Sequence, residues 1–376
     1  MNRLATQLIA GALLAATLQM TGAPVLAAES IVVGRSLPLS GPTTSYGEAK
    51  RDGGDAYINK INRLGGVGGK PIKLITLDDA YNPARTVENL KKIAAEDNPT
   101  AFLGLFGVPT VAAALPVLAQ LKIPGVGLTS GANVLRSPVN SYAFPVRASY
   151  ADEARKLVAH VKTVSTTKIS IIYTGNPFGE SVKESLLEAL KAADLTGKTY
   201  KIDPSAKDVD AAVQNAVADE PQAIFMAMLS QAAVPTVKAI KKASFHGAMY
   251  TFSPVDTSTI VKELGDKASG LAIAQIVPIP RGVQNKIVVE YLQALKELGH
   301  GTPSFYGLEG FIEAKVLVEG LKRAGPSPSP IALVKSLETL RDFDLGGYYV
   351  TYKPDAHTGS RFVELDVIGS RGDVIR

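Results

Sequence analysis

Twice along this chain a short, unbroken apolar run gives way to an amphipathic segment, and each time the pair repeats. The first series runs from "SIVVGRSLPL" into a segment, 47–64, that sets Ala49, Gly53, Ala56, Tyr57, Ile61 and Leu64 near one helical face. It continues through the alternating "KPIKLITLDD" to "NPARTVENLKKIAAED", with Asn82 at the cap and Pro83 in the first helical position. "AFLGLFG", "TVAAALPVLAQLK" and "IPGVGLTS" extend it as strand, helix and strand. The second series holds "TKISIIYTG", "GESVKESLLEALKAAD", "PQAIFMAML", "AVPTVKAIKKAS", "AMYTFSP" and "GLAIAQIVP". Apolar strands alternating with helices fold as parallel sheets covered on both faces, so the pattern predicts an α/β chain of two Rossmann-like lobes. A long amphipathic helix, "SFYGLEGFIEAKVLVEGLKRAG", follows, and "SPSP" at 327–330 is a short loop before another helix.

Several function classes fall away on composition and spacing. The formal charge of +5 on 376 residues is spread along the chain with no block of like charges, which argues against a nucleic-acid groove. There is no cysteine, so neither disulfides nor thiolate metal sites nor a lipid-modified cysteine are available. The four histidines, His160, His246, His300 and His357, are scattered without metal-ligand spacing. No metal and no cofactor is expected. "GGVGGKP" fails as a nucleotide loop: Pro71 follows the lysine where a P-loop needs Ser or Thr, and the order is helix to strand. It reads as a tight turn. No G-x-S-x-G elbow is present, and Asp78-Asp79 reads first as a cap for the turn behind its strand. Arg371-Gly372-Asp373 is a tripeptide with no supporting context.

The first thirty residues have a different character. Arg3, an apolar core over 8–18 and small residues at 25–28 predict a cleavable signal peptide over 1–28. A spanning helix would need a longer apolar run. The mature chain is therefore expected to be exported, soluble and, in a bacterium, periplasmic.

In open parallel sheets, ligands bind where loops and helix N-termini converge at the carboxyl ends of strands. "LPLSGPTTSYGEAKRDG", residues 37–53, places Ser40, Thr43, Thr44 and Ser45 at such a point, and "LTSGAN" at 128–133 is another. Hydroxyls and free N–H groups suit a phosphate or a carboxylate. Tyr46 and Phe178 each stand just before a glycine that opens a helix, one per half-chain, where an aromatic ring can cover a ligand or serve the core.

Taken together, "LPLSGPTTSYG", "INRLGGVGGKPIKLITLDDAYNPARTVENLKKI", "TSGANVLRSPVNSYAFPVRASYADEARKLVAHV", "NPFGES" and "LEGFIEAKVLVEGLKRAG" give a chain that resembles the branched-chain amino-acid binding proteins of ABC importers, periplasmic binding proteins of type I fold. The resemblance covers the mature chain. It implies two lobes with parallel central sheets, joined by three hinge crossings, over 29–149 with 276–360 and over 150–275 with 361–376. It also implies a small-molecule ligand (an amino acid, an amide or a carboxylate), a membrane permease as partner, a monomer and no catalysis; a periplasmic sensor of the same fold is the alternative. Matching positions place the carboxylate and ammonium contacts at Val108, Thr110, Thr129, Ser130 and Gly131, and the covering aromatics at Tyr46, Phe178 and Phe311. Three positions depart from the family pattern: Val108 replaces a hydroxyl, Leu229 an aromatic ring, and Pro254 a glutamate, with Asp256 two residues on. An ammonium buried without that glutamate forgoes a charge-assisted bond of roughly 1.5–3 kcal/mol, so the departures point to a ligand without an α-ammonium.

Overall fold

A computed structural model describes residues 29–375; the expected signal peptide lies outside them. The first series folds as β1 (Ile31–Leu37), α1 (Thr44–Arg63), β2 (Ile72–Asp78), α2 (Pro83–Asp97), β3 (Ala101–Leu103), α3 (Val108–Leu121), β4 (Gly125–Val126) and β5 (Ala143–Phe144). Its five strands form a parallel sheet in the order β2-β1-β3-β4-β5. "AFLGLFG" and "IPGVGLTS" yield strands shorter than their apolar runs, because Gly104, Gly107 and Gly127 take positive φ and turn the chain out of the sheet toward its carboxyl edge. Asn82 caps α2 as the sequence predicts, accepting from the Ala84 and Arg85 N–H groups, with Pro83 in the first turn. "GGVGGKP" is a turn between α1 and β2, with Val67 and Lys70 exchanging backbone hydrogen bonds.

The second series is α4 (Tyr150–Thr163), β6 (Ile169–Thr174), α5 (Pro177–Ala192), β7 (Lys198–Ile202), α6 (Val209–Ala218), β8 (Ala223–Ala227), α7 (Ser230–Lys242), β9 (Ala248–Thr251), α8 (Thr257–Leu264) and β10 (Leu271–Gln275). The chain then returns to the first lobe as α9 (Lys286–Leu298), α10 (Phe305–Ala324), α11 (Pro330–Leu337) and the small antiparallel sheet β11 (Phe343–Asp344), β12 (Tyr349–Lys353) and β13 (Ala356–Gly359). It ends in the second lobe as β14 (Glu364–Ile368) and β15 (Val374–Ile375), which extend that sheet antiparallel to β10 in the order β15-β14-β10-β9-β8-β6-β7. The backbone thus passes between the sheets three times, after β5, after β10 and after β13.

α10 is the spine of the first lobe. Its packing on α1 is so close that a Cβ on Gly53 would lie 1.8 Å from the Gly307 carbonyl oxygen, and one on Gly310 would lie 2.4 Å from the Lys50 carbonyl oxygen. Only glycine permits that approach. It brings the buried Lys50 ammonium to 2.8 Å from Glu313 and 3.8 Å from Glu309. Among the described residues no helix is long and apolar enough to cross a membrane, and no group of carboxylates and imidazoles is placed to hold a metal ion.

Candidate functional site

The carboxyl ends of the parallel strands of the two sheets face one another, so the loops after β1, β3 and β4 meet those after β6, β8 and β9. On the first-lobe side, Tyr46, Phe106, Tyr306 and Tyr81 form one aromatic wall. The Tyr46 ring stacks on Phe106 at 5.3 Å between centroids and meets Tyr306 edge-on at 4.8 Å; Tyr81 lies 5.9 Å from Phe106. Such pairs contribute about 0.5–1.5 kcal/mol each beyond the area they bury. Deeper in, Val108 at the start of α3 joins an apolar cluster that continues across the boundary through Ala132, Tyr150 and Phe178, with Leu229 packed against it. Tyr150 meets Phe178 edge-on at 5.7 Å.

Polar groups at the same strand ends are mostly committed within their own lobe. Thr129 gives its hydroxyl proton to Glu313 Oε1 at 3.0 Å and its N–H to the Leu105 carbonyl, and its carbonyl accepts from the Gly107 N–H. Thr110 Oγ1 donates back to the carbonyls of Phe106 and Gly107. Both threonine hydroxyls thus donate within the first lobe, Thr110 to backbone carbonyls and Thr129 to Glu313. Thr110 returns its proton to carbonyls three and four residues back, whereas Thr129 bonds the buried Glu313 carboxyl in the middle of α10. Ser130 Oγ accepts from the Ala132 N–H, and the Gly131 carbonyl accepts from the Tyr150 N–H at 2.8 Å. A Cβ on Gly131 would lie 2.4 Å from the Tyr150 ring, so glycine is required where that ring packs. What the first lobe leaves open is backbone: the first hydrogen bond inside α3 joins Val111 N–H to the Gly107 carbonyl, so the N–H groups of Val108 and Thr110 have no acceptor within the helix.

Asp256 caps α8, with its Oδ2 accepting from the Thr259 N–H and Oγ1 and from Ser258 Oγ. Phe311 is fully buried in the first-lobe core, edge-on to Tyr57 at 5.0 Å and packed on Tyr291. The aromatic that α10 presents at the lobe boundary is Tyr306, five residues earlier and about 140° around the helix, so the two rings cannot share a face. In the turn after β1, Ser40 Oγ faces the Asp78 carboxylate and Thr44 Oγ1 the Gly41 carbonyl; Asp78 also accepts from the Leu39 and Ala80 N–H groups. The carboxylate pair therefore organises the turn.

Direct bonds cross between the lobes. Tyr46 Oη lies 2.7 Å from Ser230 Oγ and 3.3 Å from the Pro254 carbonyl, and burial pushes its pKa up to about 12, keeping the phenol neutral. Around the crossing after β5, buried Arg147 gives Nη2 to Glu153 at 2.7 Å and to Ser253 Oγ, while its Nη1 lies 4.0 Å from Glu309. Burial opposes this charge, but Glu309 and Glu153 outweigh it and hold the guanidinium above its usual range. A void of about 10 Å³, room for a single water, lies among Arg147, Ser253, Gln275 and Glu309. Outward of Tyr46, a crevice of about 400 Å³ separates the start of α1, with Ser45, Glu48 and Asp52, from Asp256, Ser258 and Lys262 of α8.

A family model described as a periplasmic binding protein matches residues 30–365. The chain belongs to this family. The periplasmic binding protein is 21% identical over 321 residues to an amino acid binding protein of Pseudomonas aeruginosa, covering 84% of each chain. It is 22% identical over 338 residues to the Leu/Ile/Val-binding protein homolog 1 of Brucella abortus, covering 88% of this chain and 87% of that one. Among solved structures, a substrate-binding periplasmic protein from Ralstonia solanacearum superposes with a TM-score of 0.84 at 32% identity, over 92% of this chain and 99% of the other. The type I architecture expected of this periplasmic binding protein is thereby shown.

Tyr81, Phe106, Tyr150, Tyr306 and Ser230 were not foreseen from the sequence. Each lies inside a quoted stretch or, for Ser230, directly beside a named residue, in a loop after a strand or in the first turn of a helix. The available signal was proximity to those termini, and Tyr306 was legible as the ring in the first turn of α10.

Proposed function

We propose that this chain is the extracytoplasmic solute-binding subunit of an ABC importer, exported by residues 1–28, acting as a monomer and catalysing no reaction. It captures a small solute between its lobes, closes by hinge motion and presents it to a membrane permease. The observation that carries the reading is the lobe boundary: aromatic groups from opposing lobes, the N–H groups of Val108 and Thr110 with no acceptor inside α3, and the loop of Ser130 and Gly131 all lie at the carboxyl edges of the two sheets. Backbone donors suit a carboxylate or an amide oxygen, and the rings suit an apolar or aromatic body. The curated relatives are named for amino acids and for Leu, Ile and Val. Here the position matched to the family's glutamate is Pro254, whose carbonyl already accepts from Tyr46, which favours a carboxylate or amide without an α-ammonium.

The test is a thermal-shift screen of residues 29–376, unfolded and refolded to remove carried-over solute. The panel holds leucine, isoleucine and valine, their deaminated acids and amides, short dicarboxylates and aromatic acids. A ligand present at about 100 times its Kd stabilises by roughly 2.7 kcal/mol. A shift with the acids or amides alone supports the reading. An equal or larger shift with the amino acids overturns the exclusion of the ammonium while leaving the binding role in place.

A further inference from the structure

Helix α7 of the second lobe begins without a cap of its own. Its N-cap position is Leu229, which has no side-chain acceptor, so the first N–H groups of the helix need partners from elsewhere. They are supplied in part by the first lobe. The Ser230 N–H donates to Tyr46 Oη at 3.3 Å, the same phenol oxygen lies 2.7 Å from Ser230 Oγ, and Ser230 Oγ in turn accepts the Asp256 N–H at 2.8 Å. One residue on, the Gln231 side-chain amide donates to the Pro42 carbonyl in the turn that carries Tyr46. The phenol is 2% exposed and held by Phe106 and Tyr306, so it is a rigid projection of the first lobe rather than a mobile side chain.

We infer that the Tyr46 and Ser230 hydroxyls form a latch between the lobes that supplies part of the free energy of closing through their own bond, whatever the Tyr46 ring covers in the cleft. Hinge opening would separate the phenol from Ser230 and Pro254 and leave the start of α7 to water. Closing restores the bonds whatever the cleft contains, so the solute-free chain populates the closed form measurably, and capture selects that form as well as inducing it. A change in the latch then scales the apparent affinity for every solute alike, through the closed fraction. The inference rests on the proposed opening and closing of the cleft but not on which solute enters it.

The chain lacks cysteine, so Glu88→Cys in the first lobe and Lys238→Cys in the second give two clean sites for spin labels on exposed positions. Distance distributions are measured by double electron–electron resonance on the full mature chain, stripped of solute by unfolding and refolding. The comparison covers wild type, Tyr46→Phe, Ser230→Ala and the double variant, each checked for a native circular-dichroism spectrum. Tyr46→Phe keeps the ring and removes only the hydroxyl. Two distances are expected in the wild type, with the closed-to-open ratio falling about two- to tenfold in Tyr46→Phe. The double variant should fall by less than the product of the two single effects, because the two groups act on each other. Two populations whose ratio is indifferent to both substitutions would overturn the latch while leaving the hinge. A single distance in all four proteins would overturn the opening and closing on which it rests.

Discussion

Replacing Arg147 by methionine removes a cation buried at the lobe boundary and strands its partner. Glu153 is fully buried, and its carboxylate would retain only the bonds from Ser253, at 2.8 Å from the backbone N–H and 3.0 Å from the hydroxyl. Breaking a buried pair by removing one member costs about 3–5 kcal/mol. The two surviving bonds place this case toward the lower end. For a lobe of this size that corresponds to a fall in Tm of roughly 6–12 °C. Burial already pushes the Glu153 carboxyl up, and the guanidinium opposes that shift, so its removal raises the pKa further. A carboxyl with a raised native pKa is destabilising once the unfolded chain ionises, so the deficit grows as pH rises above about 4.3 and shrinks at pH 5. Arg147→Met/Glu153→Gln should recover most of the loss, since the directly bonded carboxylate is then neutral, Glu309 keeps Lys50 at 3.8 Å, and glutamine still accepts from the Ser253 N–H. Urea unfolding followed by circular dichroism at pH 5 and pH 8 reads all three proteins. A deficit under about 1 kcal/mol at pH 8, or a double variant less stable than Arg147→Met, would refute the reasoning.

Burial pushes Glu313 up to about 8, against the pull of Lys50, so the folded chain holds a proton there that the unfolded chain releases. Its contribution to stability is complete below the ordinary carboxylate range and is lost as pH rises toward 8; thermal melts should show a smaller decline over pH 5–8.5 in Glu313→Gln than in wild type. Phe311→Ala should cost about 3–5 kcal/mol of first-lobe stability and leave solute affinity in the folded protein nearly unchanged. Tyr306→Ala should do the reverse in calorimetric titrations, weakening affinity several-fold for less stability. Equal effects of the two on affinity would place the cleft elsewhere on α10.

The alternation of apolar runs and amphipathic segments was enough to determine the α/β class, the two series of elements and individual caps such as Asn82, because strand and helix periodicity and capping are local. It also marked the loops where ligands gather, since these follow directly from where strands end. Strand order, the antiparallel β14 and the three passages between lobes depend on which elements meet in space, and no short-range pattern encodes that. The same limit decided the site. The place of Tyr46 before a glycine in the first turn of α1 nominates it, but whether Phe311 or Tyr306 faces the boundary depends on the rotation of α10 against α1, set by the contacts of Gly53 and Gly310. Thr110 and Thr129 have hydroxyls in the right loops, and only the folded structure shows that nearby backbone carbonyls and Glu313 take their protons. Residue type and spacing nominate a donor; the packed neighbourhood determines whether that donor is free.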